Sequence, residues 1–165
     1  YGIIQNSSLN NTYNFGSNDL TLEAWVYHNS ITTTQNYFRT QDSGNIYGFR
    51  FVSTNVLQWL AYSSGTSILS VISNYNVIQA SNWYHVVASR IGSTHQIYIN
   101  GVANGSAVTS TETAVVPTGV IYIGSLGGVE TMDGNISIIK MYNGYGFTAN
   151  DVLSQFNAHR GRYGI

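Results

Sequence analysis

The sequence predicts an all-β protein, a two-sheet antiparallel sandwich with one short C-terminal helix. About ten short segments rich in β-branched and aromatic residues recur at regular spacing along the 165 residues, separated by Gly, Ser, Asn and Thr clusters. Such spacing is typical of β-sandwiches and barrels. Most segments also alternate apolar and polar residues, which gives each strand one face for a dry interface between two sheets.

The first half of the chain contains a predicted strand at residues 1–4, a loop at 5–18 and five further strands. The strand at residues 20–27 alternates most clearly, with Leu20, Leu22, Ala24 and Val26 on one side and Thr21, Glu23, Trp25 and Tyr27 on the other. The others are predicted at residues 36–40, 47–53, 56–63 and 67–73. Within these strands, Phe49, Phe51, Leu57 and Trp59 are expected to point inward.

A pair of hairpins lies at the centre of the chain. Residues 82–90 and 96–99 form two predicted strands joined by a turn at 91–93, and Asn100-Gly101 leads into a third. Asn-Gly is a strong hairpin signal because a type I′ turn needs positive φ at both central residues. Ile97 and Ile99 should face inward. Later strands are predicted at residues 106–109, 120–125 and 135–142, with 112–118 as a connection.

One helix is predicted after the last strand. Thr148 is a suitable N-cap, and Asp151 lies in the first turn, where a carboxylate interacts favourably with the helix dipole. Phe147 and Val152 can form a hydrophobic staple across this cap. Val152 and Phe156 lie one turn apart and predict a buried face, and residues 159–165 are predicted to be a tail.

The composition limits the classes of partner. The chain has no cysteine, which excludes a disulfide framework and a Cys-based metal or redox site. Only 8% of residues are charged and the net charge is −1, so nucleic acid is not an expected partner. No apolar stretch is long enough to span a membrane. The low charge fits either a salt-tolerant extracellular domain or a subunit that packs against neighbours.

The length suits one domain covering residues 1–165. Residues 1–4 already look like the inside of a strand, and the chain does not begin with Met. We therefore expect it to be a processed product or part of a longer chain.

Four motifs, in this order, resemble the laminin G-like jelly rolls of the concanavalin A-like lectin/glucanase superfamily. They are residues 21–26, residues 83–86 with the hairpin at 98–101, residues 122–125, and residues 134–142 with the following helix. The resemblance implies a concanavalin A-like jelly-roll sandwich over nearly the whole chain. It does not specify a function, because this fold hosts lectins, glucanases, adhesion modules and structural parts.

Residues 157–165 resemble the ends of laminin G-like domains in tailed-phage structural proteins. Together with the low charge, this leads to the hypothesis of a non-catalytic structural or adhesive domain on an assembled particle, a phage virion, as a capsid decoration or tail-fibre component. Its partners would be protein subunits of that assembly and cell-surface glycan. The alternative is a secreted carbohydrate-binding module. The expected location is the virion surface or the extracellular space.

A hydrolase is the least favoured hypothesis. Glycoside hydrolysis needs two carboxyl groups roughly 5 to 10 Å apart, and no two of the seven acidic residues lie two or four positions apart within a predicted strand. Glu23 is therefore expected to be a rim or cross-strand residue, and His85 a structural histidine rather than a base. No catalytic residue is assigned.

Domains of the family that this chain resembles often hold a structural Ca²⁺ through an Asp early in the last strand. This chain has Ser137 there, and a neutral hydroxyl is a weaker Ca²⁺ ligand than a carboxylate. Asp133, Glu130 and loop carbonyls are the alternative ligands, but no metal or other cofactor is expected.

Carbohydrate binding would use outward-facing aromatic and planar polar side chains. If the six core residues named above face inward, the outward set is Arg50, Gln58, Tyr62, Gln96 and Tyr98. This set is predicted to line a concave sheet face and to contact a ligand. The alternative is an ordinary polar sheet exterior or a protein contact.

Overall fold

The computed structural model describes residues 2–4, 16–42, 44–111, 113 and 120–165. The predicted loop at residues 5–18 lies mostly outside these residues, as does most of the connection predicted at 112–118. Within the described residues the chain forms two antiparallel sheets and a C-terminal helical segment. This arrangement confirms the predicted jelly-roll sandwich.

The strands in chain order are β1 Gly2–Ile4, β2 Leu20–His28, β3 Gln35–Asp42, β4 Asn45–Val52, β5 Val56–Ser63, β6 Thr66–Ile72, β7 Trp83–Ile91, β8 Thr94–Ile99, β9 Val102–Thr109, β10 Val120–Ile123 and β11 Gly134–Asn143. One sheet has six strands in the order β1-β10-β3-β4-β5-β6. The other has five strands in the order β11-β2-β7-β8-β9. Helix α1 spans Ala149–His159 and is followed by a short 3₁₀ helix, Arg160–Tyr163.

The core lies between the two sheets. Phe49, Phe51 and Trp59 come from the six-stranded sheet, and Leu22 and Ile97 come from the five-stranded sheet. All of them are buried, so the predicted inward faces are confirmed. This apolar layer supplies the main driving force for folding, because burial removes apolar surface from water.

The central hairpin forms as its sequence predicts. Asn100 and Gly101 have φ angles of 49° and 85°, and they connect β8 to β9. The Asn100 side chain accepts a hydrogen bond from the His85 backbone N–H at 2.9 Å. This contact ties the turn to β7 and fixes the register of three neighbouring strands.

The helix begins as predicted. Thr148 adopts an extended conformation and its hydroxyl accepts from the backbone N–H of Asp151 at 3.3 Å. The Asp151 carboxylate accepts from the backbone N–H of Thr148 at 2.9 Å, which completes a capping box. Phe147 and Val152 are buried in one cluster, as a staple requires.

The outer face of the five-stranded sheet is buried beneath the C-terminal segment. Trp25, Val87 and Tyr98 lie on this face, and Phe147 and Val152 pack over the sheet. We call it the covered face, and define it by Glu23, Trp25, His85, Val87 and Tyr98. Alternation in β2 predicts that Glu23 and Trp25 share a side, but it does not reveal that a helix covers that side.

The predicted tail is ordered structure. Its 3₁₀ helix brings the Tyr163 ring to 4.1 Å from the Trp25 ring, in a stacked arrangement. The Tyr163 hydroxyl donates to the Ser137 hydroxyl at 2.8 Å. The 3₁₀ helix therefore packs over the covered face together with helix α1.

Candidate functional site

Polar and aromatic side chains gather on the outer face of the six-stranded sheet. The pairing of β10, β3, β4 and β5 places alternate residues of these strands in cross-strand rows directed away from the core. We call this surface the polar face. It comprises Asn36, Arg39, Gly48, Arg50, Gln58, Leu60, Tyr62 and Tyr122.

Arg50 is the centre of a hydrogen-bond network on the polar face. Its Nε and Nη2 donate to Gln58 Oε1 at 3.1 and 2.9 Å, across the β4–β5 pair. Its Nη1 lies 3.3 Å from both carboxylate oxygens of Glu130. The Gln58 amide in turn donates to the Ser70 hydroxyl at 3.1 Å. These contacts fix the orientations of two planar polar side chains that remain partly exposed.

Glu130 reaches the polar face from the loop before β11. Its φ is +47°, which is uncommon for a residue other than glycine. Asn36 holds it in place, because the backbone N–H of Asn36 donates to the Glu130 carbonyl at 2.9 Å and the Asn36 amide donates to Glu130 Oε2 at 2.8 Å. The loop thereby carries a carboxylate to one end of the polar face.

Arg39 lies in the next row and covers Gly48. An added Cβ at Gly48 would lie 3.0 Å from Arg39 Cδ and 3.4 Å from its Nη1, so the glycine makes room for the side chain. Arg39 is only 7% exposed, and its Nε and Nη1 are buried with no hydrogen-bond partner among the described residues. Burial and the nearby Arg50 lower the pKa of Arg39, against the opposing effect of Glu130, and an arginine still remains charged.

The structure brings together three of the five predicted ligand-binding residues. Arg50, Gln58 and Tyr62 share the polar face, and each is partly exposed. Their role in binding stays a prediction.

The prediction that Gln96 and Tyr98 share this face is wrong. Both lie on β8, which pairs with β7 and β9 in the five-stranded sheet. Tyr98 is 8% exposed and packs with Val87 under the helix. The Gln96 amide donates to three backbone carbonyls, those of Ile97, Asn104 and Gly105, at 2.8 to 3.3 Å. Its contacts hold together the irregular β8–β9 pairing.

The sequence pattern does not predict Arg39, Asn36 or Glu130 on this face. In β3 the pairing shifts register between Asn36 and Phe38, and this bulge interrupts the alternation that assigns a side chain to one face. Glu130 comes from a loop, whose path has no periodic signal. The presence of a glycine, Gly48, within a strand of large residues was the available signal for a close approach.

Glu23 lies in a buried charged network on the covered face. Its Oε1 is 3.2 Å from His85 Nε2, and its Oε2 is 3.5 Å from Lys140 Nζ. The Tyr142 hydroxyl donates to Oε2 at 3.3 Å. Burial raises the pKa of Glu23, but the His85 hydrogen bond and the Lys140 charge outweigh this effect and leave the pKa below its usual value. The carboxylate is thus satisfied by structural partners.

The residues considered as calcium ligands have other contacts. The Ser137 hydroxyl accepts from Tyr163, Asp133 Oδ1 accepts from the Asn29 amide at 3.1 Å, and Glu130 pairs with Arg50. In the part of the chain that the structure describes, no group of three or more His, Asp or Glu residues is placed to hold a metal ion. The helices of the described residues include none that is both long and apolar enough to cross a membrane.

A family model for the concanavalin A-like lectin/glucanases superfamily matches residues 4–152. The chain belongs to this superfamily. The match extends from the first strand into the C-terminal helix, and so it covers both sheets. No sequence among curated proteins matches the chain.

Solved structures with the same fold include several binding domains. Domain 4 of an extracellular arabinanase from Geobacillus stearothermophilus, in complex with arabinotriose, has a TM-score of 0.66 at 20% identity and covers 84% of this chain. The CBM40 of Ruminococcus gnavus IT-sialidase, bound to α2,3 sialyllactose, has a TM-score of 0.70 at 9% identity over 86% of this chain. The binding domain of Paraclostridial Mosquitocidal Protein 1 has a TM-score of 0.71 at 15% identity over 95%.

These likenesses concern the fold, because the identities are low. The superfamily domain described here spans 66% of the arabinanase domain, 84% of the CBM40 and 40% of the mosquitocidal binding domain. The larger chains therefore contain parts that this chain does not match.

Proposed function

We propose that this domain is a non-catalytic carbohydrate-binding module whose ligand contacts the polar face. The observation that carries the proposal is the ordered, partly exposed group of Arg50, Gln58 and Tyr62 on one sheet face. Planar polar groups hydrogen-bond sugar hydroxyls, and a tyrosine offers both an apolar ring and a polar tip. Two of the structural neighbours, solved with arabinotriose and sialyllactose, give the proposal independent support.

The covered face is the less suitable of the two outer surfaces. Trp25 and His85 are fully buried there, and the helix and the 3₁₀ helix occupy the space that a ligand would need. The polar face keeps Tyr62 and Tyr122 partly exposed. We therefore assign binding to the six-stranded sheet.

The absence of catalysis is proposed from the placement of the acidic residues. Glu23 is buried on the covered face, whereas Glu130 is paired with Arg50 on the polar face. Two carboxylates on opposite outer surfaces cannot flank one glycosidic bond, which requires a separation of about 5 to 9.5 Å. Incubation of the domain with a bound oligosaccharide should release no reducing ends; release that is lost in Glu23→Gln would contradict this assignment.

We expect Tyr62→Ala to weaken glycan binding roughly tenfold, because an aromatic contact at the centre of a binding surface carries about 1 to 2 kcal/mol or more. A glycan array identifies the saccharide, and calorimetric titration then measures the affinity of both proteins. Tyr145→Ala is the matched control, since Tyr145 is 54% exposed and belongs to the segment over the other sheet.

The proposal fails if the wild-type domain binds no saccharide, or if the two tyrosine variants weaken binding equally. Equal loss would place the contribution of Tyr62 in general stability rather than in ligand contact.

We further propose that the domain works outside the cell, either in a secreted protein or on an assembled particle such as a phage virion. The support is compositional: 8% charged residues and a net charge of −1 favour close packing against neighbouring subunits. Mass spectrometry of purified particles tests the virion role, and absence of the chain from them would leave the secreted module.

A further inference from the structure

Arg39 is a buried cation with two side-chain nitrogens that lack a hydrogen-bond partner among the described residues. Its Nε and Nη1 have no acceptor among the described residues, and its side chain is 93% removed from solvent. A buried donor that loses water without gaining an acceptor is destabilising, and the penalty is larger for a charged group. The fold nevertheless makes room for this side chain by placing Gly48 opposite it.

Within the described residues, the polar face supplies no carboxylate that bonds to Arg39 Nε or Nη1. Glu130 is the carboxylate of the polar face, and it already contacts Arg50 at 3.3 Å and Asn36 at 2.8 Å. Burial and, after it, the nearby positive charge of Arg50 lower the pKa of Arg39, and the charge of Glu130 only partly opposes them. Among the described residues no carboxylate bonds to Arg39 Nε or Nη1, and Tyr122 lies opposite Arg39 across the β3–β10 pair.

We infer that Arg39 receives an oxyanion of a bound acidic saccharide, either a carboxylate or a sulfate. The inference rests on the proposed carbohydrate-binding function and adds the chemical class of the ligand. Arginine presents a planar set of N–H donors that matches two oxygens of either group. Arg50 is kept from this role by its contacts with Glu130 and Gln58, so Arg39 is the available donor.

The test compares matched ligands by calorimetric titration. One pair is an oligosaccharide with a uronic or sialic acid and the same oligosaccharide with its carboxyl group reduced to an alcohol. A second pair is a sulfated oligosaccharide and its desulfated form. For at least one pair, the wild-type domain should bind the acidic member roughly 10- to 100-fold more tightly, as expected for hydrogen bonds to a charged group, and the pair that discriminates identifies the oxyanion.

Arg39→Met removes the charge while keeping much of the side-chain volume. It should abolish the preference, so that the acidic and neutral members bind this variant with equal affinity, and its melting temperature should equal or exceed that of the wild type. Arg162→Met is the control for loss of one positive charge, because Arg162 is exposed in the 3₁₀ helix over the other sheet. It should keep the full preference. If Arg39→Met does not fold, Arg39→Lys retains the charge without the planar donor set and should lose most of the preference.

Failure of the Arg39 assignment can be distinguished from failure of the proposed carbohydrate-binding function. A wild-type domain that binds acidic and neutral saccharides equally, or an acidic preference that survives in Arg39→Met, overturns the assignment of Arg39 but leaves carbohydrate binding in place. A domain that binds none of the four saccharides, and nothing on a glycan array, overturns the proposed function itself.

Discussion

Trp25→Ala is expected to lower the free energy of unfolding by about 3 to 5 kcal/mol, the range for truncating a large buried aromatic side chain. Trp25 is fully buried on the covered face. Its ring lies 4.1 Å from Tyr163, 5.0 Å from His85 and 6.0 Å from Phe156 in stacked arrangements. Its Nε1 has no hydrogen-bond partner among the described residues, so the contribution comes from packing. Urea denaturation of the purified domain measures the change.

The same substitution should loosen the C-terminal segment before the rest of the domain. Limited proteolysis is expected to cut within residues 149–165 of Trp25→Ala at protease levels that leave the wild type intact. Trp83→Ala is the comparison, since Trp83 also contacts Tyr163, at 4.8 Å, but is only half-buried. If Trp25→Ala lowers the free energy of unfolding by less than about 1 kcal/mol and residues 149–165 stay protected from protease, the docking of this segment does not depend on stacking against Trp25.

Acid is expected to destabilise the domain through His28, starting well above the pH at which carboxylates titrate. His28 is buried, and burial lowers its pKa to about 4, below the usual 6.5. Its Nδ1 lies 3.1 Å from Gln35 Oε1 and its Nε2 lies 2.8 Å from the Tyr37 hydroxyl. Gln35 Oε1 is an acceptor, since the Gln35 amide donates to a carbonyl, so Nδ1 donates and Nε2 accepts from Tyr37. The folded state thus holds the neutral ring.

The direction of this pH dependence of stability follows from proton linkage. Because the unfolded state binds this proton more tightly, the stability from neutral His28 is fully present above about pH 6.5 and is lost as pH falls towards 4. The total loss from this one group is roughly 3 kcal/mol, from 1.36 kcal/mol per pKa unit. Glu23 acts in the same direction, but only below its unfolded pKa of about 4.5.

Denaturation curves between pH 7.5 and 4.5 measure this effect. His28→Gln should be less stable at pH 7.5 but should lose less stability on acidification than the wild type. Burial also lowers the pKa of His95, so its contribution remains in both proteins and the difference between them isolates His28. His159→Gln serves as the control for removal of a histidine outside the core. If the free energy of unfolding fell equally with pH in the wild type and in His28→Gln, the acid sensitivity could not be attributed to His28.

Much of the fold could be predicted because its signals are local. The alternation of β2, the positive φ of Asn100 and Gly101 and the cap at Thr148 each depend on a few neighbouring residues. Ile97 and Trp59 point inward as predicted because alternation distinguishes the core side of a strand from its outer side. These local choices agree with one another, which is the condition for a well-defined fold.

The candidate site could be predicted only in part, because alternation does not tell which sheet a strand joins. Arg50 and Gln96 both point outward, but β4 and β8 belong to different sheets, so their side chains lie on opposite surfaces. The contribution of Arg39 depends on a bulge in its strand and on pairing with Gly48. The burial of Tyr98 depends on where a helix more than 50 residues later folds back. Such information resides in the tertiary structure.

The most direct test is to locate a bound saccharide by NMR. A titration of isotope-labelled domain with the saccharide selected by glycan array would follow backbone amides and arginine Nε–H signals together. We predict that the largest shifts fall on Arg39, Arg50 and Gln58 and their strand neighbours. Largest shifts on Trp25, Tyr98 and the helix at residues 149–159 would contradict the account, because they would place the ligand on the opposite sheet.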